Sequence, residues 1–311
     1  MERGRESSDG RGHRFGGDWT SQKLAVLQNY LEAYTKALRQ RPSPEHPFHK
    51  VYIDAFAGTG YREPSRRDRT RPISQVNLFP DLAADEPQAL LDGSATLALK
   101  VEPSFQSYVF IESSQNRCTA LERLRQDFPD KASGMFVHKG DANEKIRELC
   151  TSSSWESRRA VLFLDPYGMQ VEWATIEAVA RTRAIDMWLL FPLGIGVNRL
   201  LTKSGEIPPS WQNRLDLLLG THDWYDEFYE IERTPSLFGG DEEHVVKASV
   251  ATIGRYFNKR LESIFEGVAP EPGVLRNSAN CPLYLLCFAA SNPNGAPIAL
   301  RIASSLLKKL H

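Results

Sequence analysis

Five short apolar runs, three of them followed directly by a stretch with helical periodicity, constrain the fold of this chain more than any other feature. They span residues 51–56, 108–112, 135–138, 160–165 and 187–191. The runs do not alternate between apolar and polar residues, which is typical of strands that are covered on both faces. Strands that alternate with helices predict an α/β fold, in which a mainly parallel sheet carries helices on both faces.

The remaining segments are placed around this sheet. Residues 1–15 are polar and glycine-rich and are predicted to be a disordered tail. Residues 16–204 are predicted to form an N-terminal helix and the core, with 61–92 as an inserted loop. Aromatic and leucine residues at helical spacing make 205–275 a predicted helical insertion or cap, and 276–311 supply a strand and a helix that complete the core.

Composition excludes several classes of protein. The formal net charge is -1, so no overall positive field attracts nucleic acid, and a nucleic-acid partner would have to meet a local patch. Four cysteines without a CxxC pair, Cys118, Cys150, Cys281 and Cys287, make structural zinc or a disulfide framework improbable. There is no apolar run of about 18 residues and no secretory signal, so we expect a cytoplasmic protein that does not span a membrane.

The first predicted strand ends in a glycine turn, Asp54-Ala55-Phe56-Ala57-Gly58-Thr59-Gly60. A parallel sheet binds ligands at the carboxyl ends of its strands, and glycines allow the backbone to approach a ligand closely. The dinucleotide pattern GxGxxG and the phosphate-binding pattern GxxxxGK are both absent. Without a ligand, the segment would be an ordinary glycine-rich strand-to-helix turn.

This turn resembles motif I of class I methyltransferases, in the version of enzymes that methylate exocyclic amines of nucleic-acid bases. The resemblance implies a Rossmann-like class I methyltransferase sheet and S-adenosylmethionine as cofactor. It implies that the cofactor is bound by residues of the turn, namely Asp54, Ala55, Phe56, Gly58 and Gly60.

Two further acids match the same family. Glu112 ends the second strand, where the family's carboxylate holds both ribose hydroxyls, and a carboxylate suits this because it accepts two hydrogen bonds. Asp141 follows the third strand, where the family's acid accepts from the adenine amino group. The alternatives are that Glu112 is a solvated loop acid and that Asp141 caps the following helix, and Asp141 is able to do both.

The fourth strand ends in Leu164-Asp165-Pro166-Tyr167-Gly168, which resembles the family's motif IV, [DNS]-P-P-[YFW]. The resemblance implies that Asp165 and the Pro166 carbonyl orient an acceptor amine, while Tyr167 stacks on a flipped base. This chain departs from the motif, since it has one proline and its aromatic residue stands one place early.

The whole chain from about residue 19 resembles a narrower group, the three-Cys-motif partner family. The matching residues are Lys23, Tyr30, Leu31, Tyr34, the segments 52–60 and 163–169, Trp173, and the run from Leu190 to Arg199. The family is named for its association with a radical-SAM-like protein that bears three cysteines, so the resemblance implies such a partner.

Four functions stay open at this point. The chain is a methyltransferase acting on nucleic acid, a methyltransferase acting on a protein or small molecule, or a non-catalytic cofactor-binding partner subunit. The fourth is a Mg²⁺-dependent nuclease that uses Asp54, Glu112, Asp141 and Asp165, although the residue pattern predicts no metal site. A nucleic-acid substrate would meet the basic loop after the glycine turn, at Arg62, Arg66, Arg67, Arg69 and Arg71. The alternative is that this loop is a solvated mobile segment without such a role.

Overall fold

The computed structural model describes residues 19–40, 43, 48–59, 93–235 and 241–310. Its strands are β1 (His49–Asp54), β2 (Ser107–Glu112), β3 (Met135–Lys139), β4 (Arg158–Leu164), β5 (Ile185–Phe191), β6 (Tyr229–Pro235), β7 (Asp241–Lys247), β8 (Gly267–Val268), β9 (Gly273–Arg276) and β10 (Pro282–Ala290). Its α-helices are α1 (Trp19–Ala37), α2 (Ser94–Lys100), α3 (Gln115–Asp127), α4 (Ala142–Ser152), α5 (Trp173–Arg181), α6 (Asn198–Leu200), α7 (Pro209–Leu219), α8 (Trp224–Phe228), α9 (Val250–Glu262) and α10 (Ala296–Leu307).

The central sheet has the strand order β3-β2-β1-β4-β5-β10-β8, and β9 also pairs with β10. Strands β1 to β5 are parallel to one another, whereas β10 runs antiparallel to β5, β8 and β9. The order 3-2-1-4-5 is that of a Rossmann-like doubly wound sheet. The α/β fold class predicted from the sequence is therefore confirmed, and the carboxyl ends of β1, β2 and β4 lie at one edge.

Helices cover both faces of this sheet. One face packs against α1, α2, α3 and α10, and the other packs against α4, α5, α7 and α9. Successive strand residues point to opposite faces, so that Tyr52 of β1 belongs to the first layer while Val51 and Ile53 belong to the second. Because both layers are apolar, the strands read as continuous hydrophobic runs. Of the helices in the described part of the chain, none is long and apolar enough to cross a bilayer.

The segment predicted as a helical insertion, 205–275, differs from that expectation in two ways. It contains an antiparallel hairpin of β6 and β7 besides the helices. Its last part belongs to the core, since Phe257 of α9 stacks on Phe191 of β5 at 3.9 Å between ring centroids, and β8 and β9 join the sheet. Helical spacing of apolar residues identifies a helix but not the surface against which it packs. The predicted tail (1–15) and inserted loop (61–92) lie outside the described residues.

Candidate functional site

The carboxyl edge of the sheet brings together the ends of three neighbouring strands. Asp54 is the last residue of β1, Glu112 is the last residue of β2, and Asp165 directly follows β4. Since β1 pairs with both β2 and β4, its glycine turn lies between the other two acids. This edge is where the sequence motifs predicted a ligand.

The glycine turn contacts Glu112 directly. Gly58 has a φ of +63° and donates its N–H to the Glu112 Oε2 at 3.2 Å. Glycine adopts this left-handed conformation without strain. Among the described residues, no atom would lie within 4 Å of a Cβ built at this position.

Glu112 is buried, and both of its carboxylate oxygens accept hydrogen bonds. The Oε1 accepts from Ser113 Oγ at 3.2 Å, from Ser114 N at 2.9 Å and from Arg117 Nη2 at 2.6 Å. Arg117 lies in the first turn of α3, where the positive end of the helix dipole disfavours a cation, so the ion pair with Glu112 offsets that repulsion. Glu112 is therefore not a solvated loop acid.

Asp54 is fully buried, and its contacts are internal. Its Oδ2 accepts from Tyr52 Oη at 3.2 Å and its Oδ1 lies 3.4 Å from the Phe56 N. Burial raises the pKa of Asp54 from 3.8 to about 7, because desolvation of the carboxylate outweighs the hydrogen bonds that favour it, and the charge of Asp165 raises it further. Asp54 therefore has no exposed surface, whereas Phe56, two residues later, is partly exposed.

The other predicted cofactor residues divide into three cases. The Ala55 amide is already used in the sheet, where it donates to Phe163 O at 3.2 Å. Asp141 caps α4, accepting from the Asn143 N at 2.9 Å and the Glu144 N at 3.1 Å, and it remains exposed. Gly60 lies outside the described residues. The same holds for the five arginines of the predicted basic loop.

The segment that follows β4 places one acid and one aromatic residue at the edge. Asp165 pairs with Lys23 of α1, whose Nζ lies 2.6 Å from the Oδ2, and the two side chains are 23% and 6% exposed, respectively. Pro166 is buried, whereas Tyr167 is 79% exposed. Tyr167 also lies close enough to Arg117 to interact with its charge. Tyr167, two residues after Asp165, therefore lies near the Glu112–Arg117 pair.

Two cations of the site were missed as functional residues by sequence reasoning. Lys23 stood out only as part of a family pattern without a role, and it lies 142 positions before its partner Asp165. Arg117 had a local signal, because it stands five residues after Glu112 at the start of the next predicted helix. Each of the two cations compensates the charge of one of these acids.

The acids do not form a metal site in the described part of the chain. No group of three or more His, Cys, Asp and Glu side chains is placed there to hold an ion. The four acids considered for Mg²⁺ have other contacts: Asp54 is buried, Glu112 and Asp165 pair with cations, and Asp141 caps a helix.

A cavity of about 630 Å³ opens elsewhere, in the insertion. It is lined by Gly205, Glu206, Ile207, Pro208, Gln212, His222 and Tyr225. None of these residues belongs to the sequence motifs. The chemistry-bearing residues, rather than the depth of this cavity, therefore define the candidate site.

Comparison with known proteins adds three structural similarities. No family model matches the chain, and no curated protein matches it. The structure is similar to protein LPL1258 of Legionella pneumophila, with 12% identity, a TM-score of 0.41, and coverage of 92% of this chain and 91% of that one.

A spermidine synthase bound to a transition-state analogue aligns with 10% identity and a TM-score of 0.37, over 89% of this chain and 60% of that chain. A dimethyladenosine transferase of Plasmodium falciparum aligns with 12% identity and a TM-score of 0.30, over 81% and 71%. Similarity at this level does not establish what the chain binds or catalyses. Membership of the three-Cys-motif partner family stays a prediction.

Proposed function

We propose that the chain binds S-adenosylmethionine at the carboxyl edge of its sheet and transfers the cofactor's methyl group to an acceptor amine. The observation that carries this proposal is the hydrogen bond between Gly58, which follows β1, and Glu112, at the end of β2. Asp165 follows β4, which pairs with β1 on the side opposite to β2. A glycine bend, a ribose-binding carboxylate and an acceptor-binding carboxylate are the three elements that the reaction needs. We assign these roles to Gly58, Glu112 and Asp165, which lie at one edge of the sheet although Gly58 and Asp165 are 107 positions apart in the sequence.

The residues of the turn suit a cofactor of this kind. Gly58 has no Cβ, and no atom of the described residues lies where one would stand, so a ligand can approach its backbone closely. Glu112 would accept from the ribose hydroxyls once they replace Arg117 and Ser114 at its Oε1. The exposed Asp141 retains lone pairs beyond its two cap bonds and would accept from the adenine amino group.

The acceptor side is formed by Asp165, Pro166 and Tyr167. A bound cofactor supplies an activated methyl group on a positively charged sulfur, so the protein's task is to position the acceptor. Asp165 Oδ1 and the Pro166 carbonyl would accept N–H hydrogens of the amine, which directs its lone pair toward the methyl group. The exposed ring of Tyr167 offers a stacking surface for a planar acceptor such as an unpaired nucleic-acid base.

Calorimetric titration with S-adenosylmethionine and S-adenosylhomocysteine tests the cofactor part of the proposal. We expect Glu112→Gln to weaken binding by at least about tenfold, since the amide replaces one of the two accepting oxygens by an NH2 donor and removes the negative charge. Glu230→Gln, on the exposed surface of β6, is the matched control and should bind as the wild type does. Absence of binding to the wild-type chain, or equal affinities for the two variants, would refute the proposal.

One observation favours a second function, that of a non-catalytic cofactor-binding subunit. The acid predicted to orient the acceptor is already paired with Lys23, as expected if it were only structural. Such a subunit would serve the three-Cys-motif, radical-SAM-like partner implied by the sequence resemblance. Labelled methyl transfer into cell lysate separates the two functions. A product formed by the wild type and lost in Asp165→Asn, at unchanged cofactor affinity, supports the enzyme, while cofactor binding without any labelled product supports the subunit.

A further inference from the structure

The Lys23–Asp165 pair joins the N-terminal helix to the candidate acceptor site. Lys23 is buried to 6% side-chain exposure, and its Nζ also lies 4.8 Å from the centroid of the Trp19 ring. Placing a lysine ammonium in a buried position is unfavourable unless a partner compensates the charge. Asp165 is the partner, and the ion pair places a fixed positive charge directly beside the acceptor-facing carboxylate.

We propose that Lys23 is a positioning and specificity-determining residue, which selects a neutral acceptor amine over a protonated alkylamine. The inference rests on the proposed function and deepens it. A lone carboxylate in a half-buried site would attract ammonium groups, which have no lone pair with which to attack a methyl group. With Lys23 at its Oδ2, Asp165 belongs to a pair of zero net charge and no longer attracts a second cation strongly.

The pair leaves the chemistry for a neutral amine intact. Every hydrogen bond that the structure gives to the Asp165 side chain involves the Oδ2, so within the described residues the Oδ1 can accept an N–H of the acceptor. The exocyclic amine of a nucleic-acid base is neutral at physiological pH and is planar, which suits the exposed ring of Tyr167.

The nearby buried acid does not restore a cation site. Asp54 is close enough to Asp165 for their charges to repel, and burial keeps a large share of its population protonated near neutral pH, with a pKa of about 7. Tyr52, which donates to Asp54, is neutral because burial raises its pKa well above 10.0. Lys23 therefore balances the charge of Asp165 rather than that of a larger acidic cluster.

The test compares two small probes at pH 7 with S-adenosylhomocysteine saturating the cofactor site. The probes are 9-methyladenine, which carries a neutral exocyclic amine, and n-butylamine, which is a cation at this pH. Ligand-observed NMR titration gives the ratio of their dissociation constants. The variants are Lys23→Met, which removes the charge, and Lys23→Arg, which keeps it. Lys36→Met removes an exposed lysine of the same helix.

We expect the wild type, Lys23→Arg and Lys36→Met to prefer 9-methyladenine. Lys23→Met should shift the ratio toward butylamine by on the order of tenfold, through unmasking of the Asp165 charge. A merely structural lysine would not produce this shift at unchanged cofactor affinity. Lys23→Gln, whose amide still donates to Asp165, replaces the methionine variant if that variant does not fold.

Three results would overturn the inference: a ratio unchanged in the folded neutral variant, a wild-type preference for butylamine, or binding of neither probe. The S-adenosylhomocysteine titration is measured first and reports on the proposed function separately. If it shows no binding, both proposals are wrong. If it shows binding and the probe ratio does not shift, only the role of Lys23 is wrong.

Discussion

A buried acid far from the candidate site makes stability depend on pH in a direction that can be worked out. Asp186 lies near the start of β5 and accepts a hydrogen bond from the Tyr30 Oη of α1 at 2.7 Å. Burial raises the pKa of Asp186 from 3.8 to about 6, although the Tyr30 hydroxyl and the charge of Arg159 both favour the carboxylate. The folded chain therefore holds this proton more tightly than the unfolded chain does.

The sign of the effect follows from linkage. The contribution of protonated Asp186 to the free energy of unfolding is fully present below about pH 4, where this residue is protonated in both the folded and the unfolded chain. The contribution is lost as the pH rises through about 6. A rise in pKa of this size corresponds to about 3 kcal/mol of preference for the neutral form. Most of that, about 2 kcal/mol, disappears between pH 4 and pH 7.

Asp186→Asn removes the titration while keeping an oxygen that can accept from Tyr30. The variant can be more or less stable than the wild type at pH 4, because its amide also needs a partner. That offset is the same at every pH, so it cancels when the difference in unfolding free energy between the variant and the wild type is compared across pH values. We expect the difference to move by about 2 kcal/mol in favour of Asp186→Asn from pH 4 to pH 7.

Urea unfolding at pH 4, 5, 6, 7 and 8 measures this difference. Tryptophan fluorescence is a suitable probe, since Trp188 lies 5.2 Å from the Tyr30 ring, and coincidence with circular dichroism checks that the transition is cooperative. Asp226→Asn, on the exposed surface of α8, is the control for the effect of replacing an exposed aspartate by asparagine. A difference that stays flat within about 0.5 kcal/mol, or that moves in the opposite direction, would refute the reasoning.

Three further changes probe the site and the fold. Arg117→Gln should strengthen S-adenosylmethionine binding in calorimetry, by about fivefold at most, because it releases Glu112 from a partly exposed ion pair. Unchanged or weaker binding would contradict this. Tyr167→Ala should leave the unfolding free energy within about 0.5 kcal/mol of wild type, since the ring is 79% exposed. The same variant should weaken binding of an adenine-containing single strand by about tenfold in a fluorescence titration, and equal binding would exclude stacking. Gly194→Ala should destabilise the chain by at least about 2 kcal/mol in urea unfolding, because the new Cβ would lie 2.0 Å from the backbone oxygen of Pro282. A stable alanine variant would show that β10 can shift.

The sheet could be predicted because each strand carries its own local signal. The first run was predicted at 51–56 and is found at His49–Asp54, and the run at 187–191 is found within Ile185–Phe191. These strands are buried on both faces, so that apolar residues occur without interruption. The hairpin in the insertion had a signal as well, since Tyr229, Ile231 and Arg233 alternate with acids along β6. The aromatic residues just before it favoured a helical interpretation.

The ion pairs of the site could not be predicted in the same way. Periodicity reports which face of a helix is buried, but it does not report which residue of another element lies opposite. Lys23 sits among the buried positions of α1, where a lysine is unusual, and this anomaly indicates a charged partner without naming it. The glycine turn and the two strand-end acids could be predicted because parallel topology alone brings strand ends together.

Asp165, directly after β4, and the buried Asp186 of β5 connect the fold to the chemistry through one helix. Lys23 bonds to Asp165 at the carboxyl end of β4, and Tyr30 bonds to Asp186 near the amino end of β5. Seven residues of α-helix span about 10 Å, so α1 crosses the sheet from its ligand-binding edge toward the opposite edge. The Tyr30 bond fixes the position of α1 along the strands, and that position sets where the Lys23 ammonium lies. Selection of a neutral acceptor, as proposed for Lys23, would thus depend on a helix that is held at its other end by packing and a buried hydrogen bond.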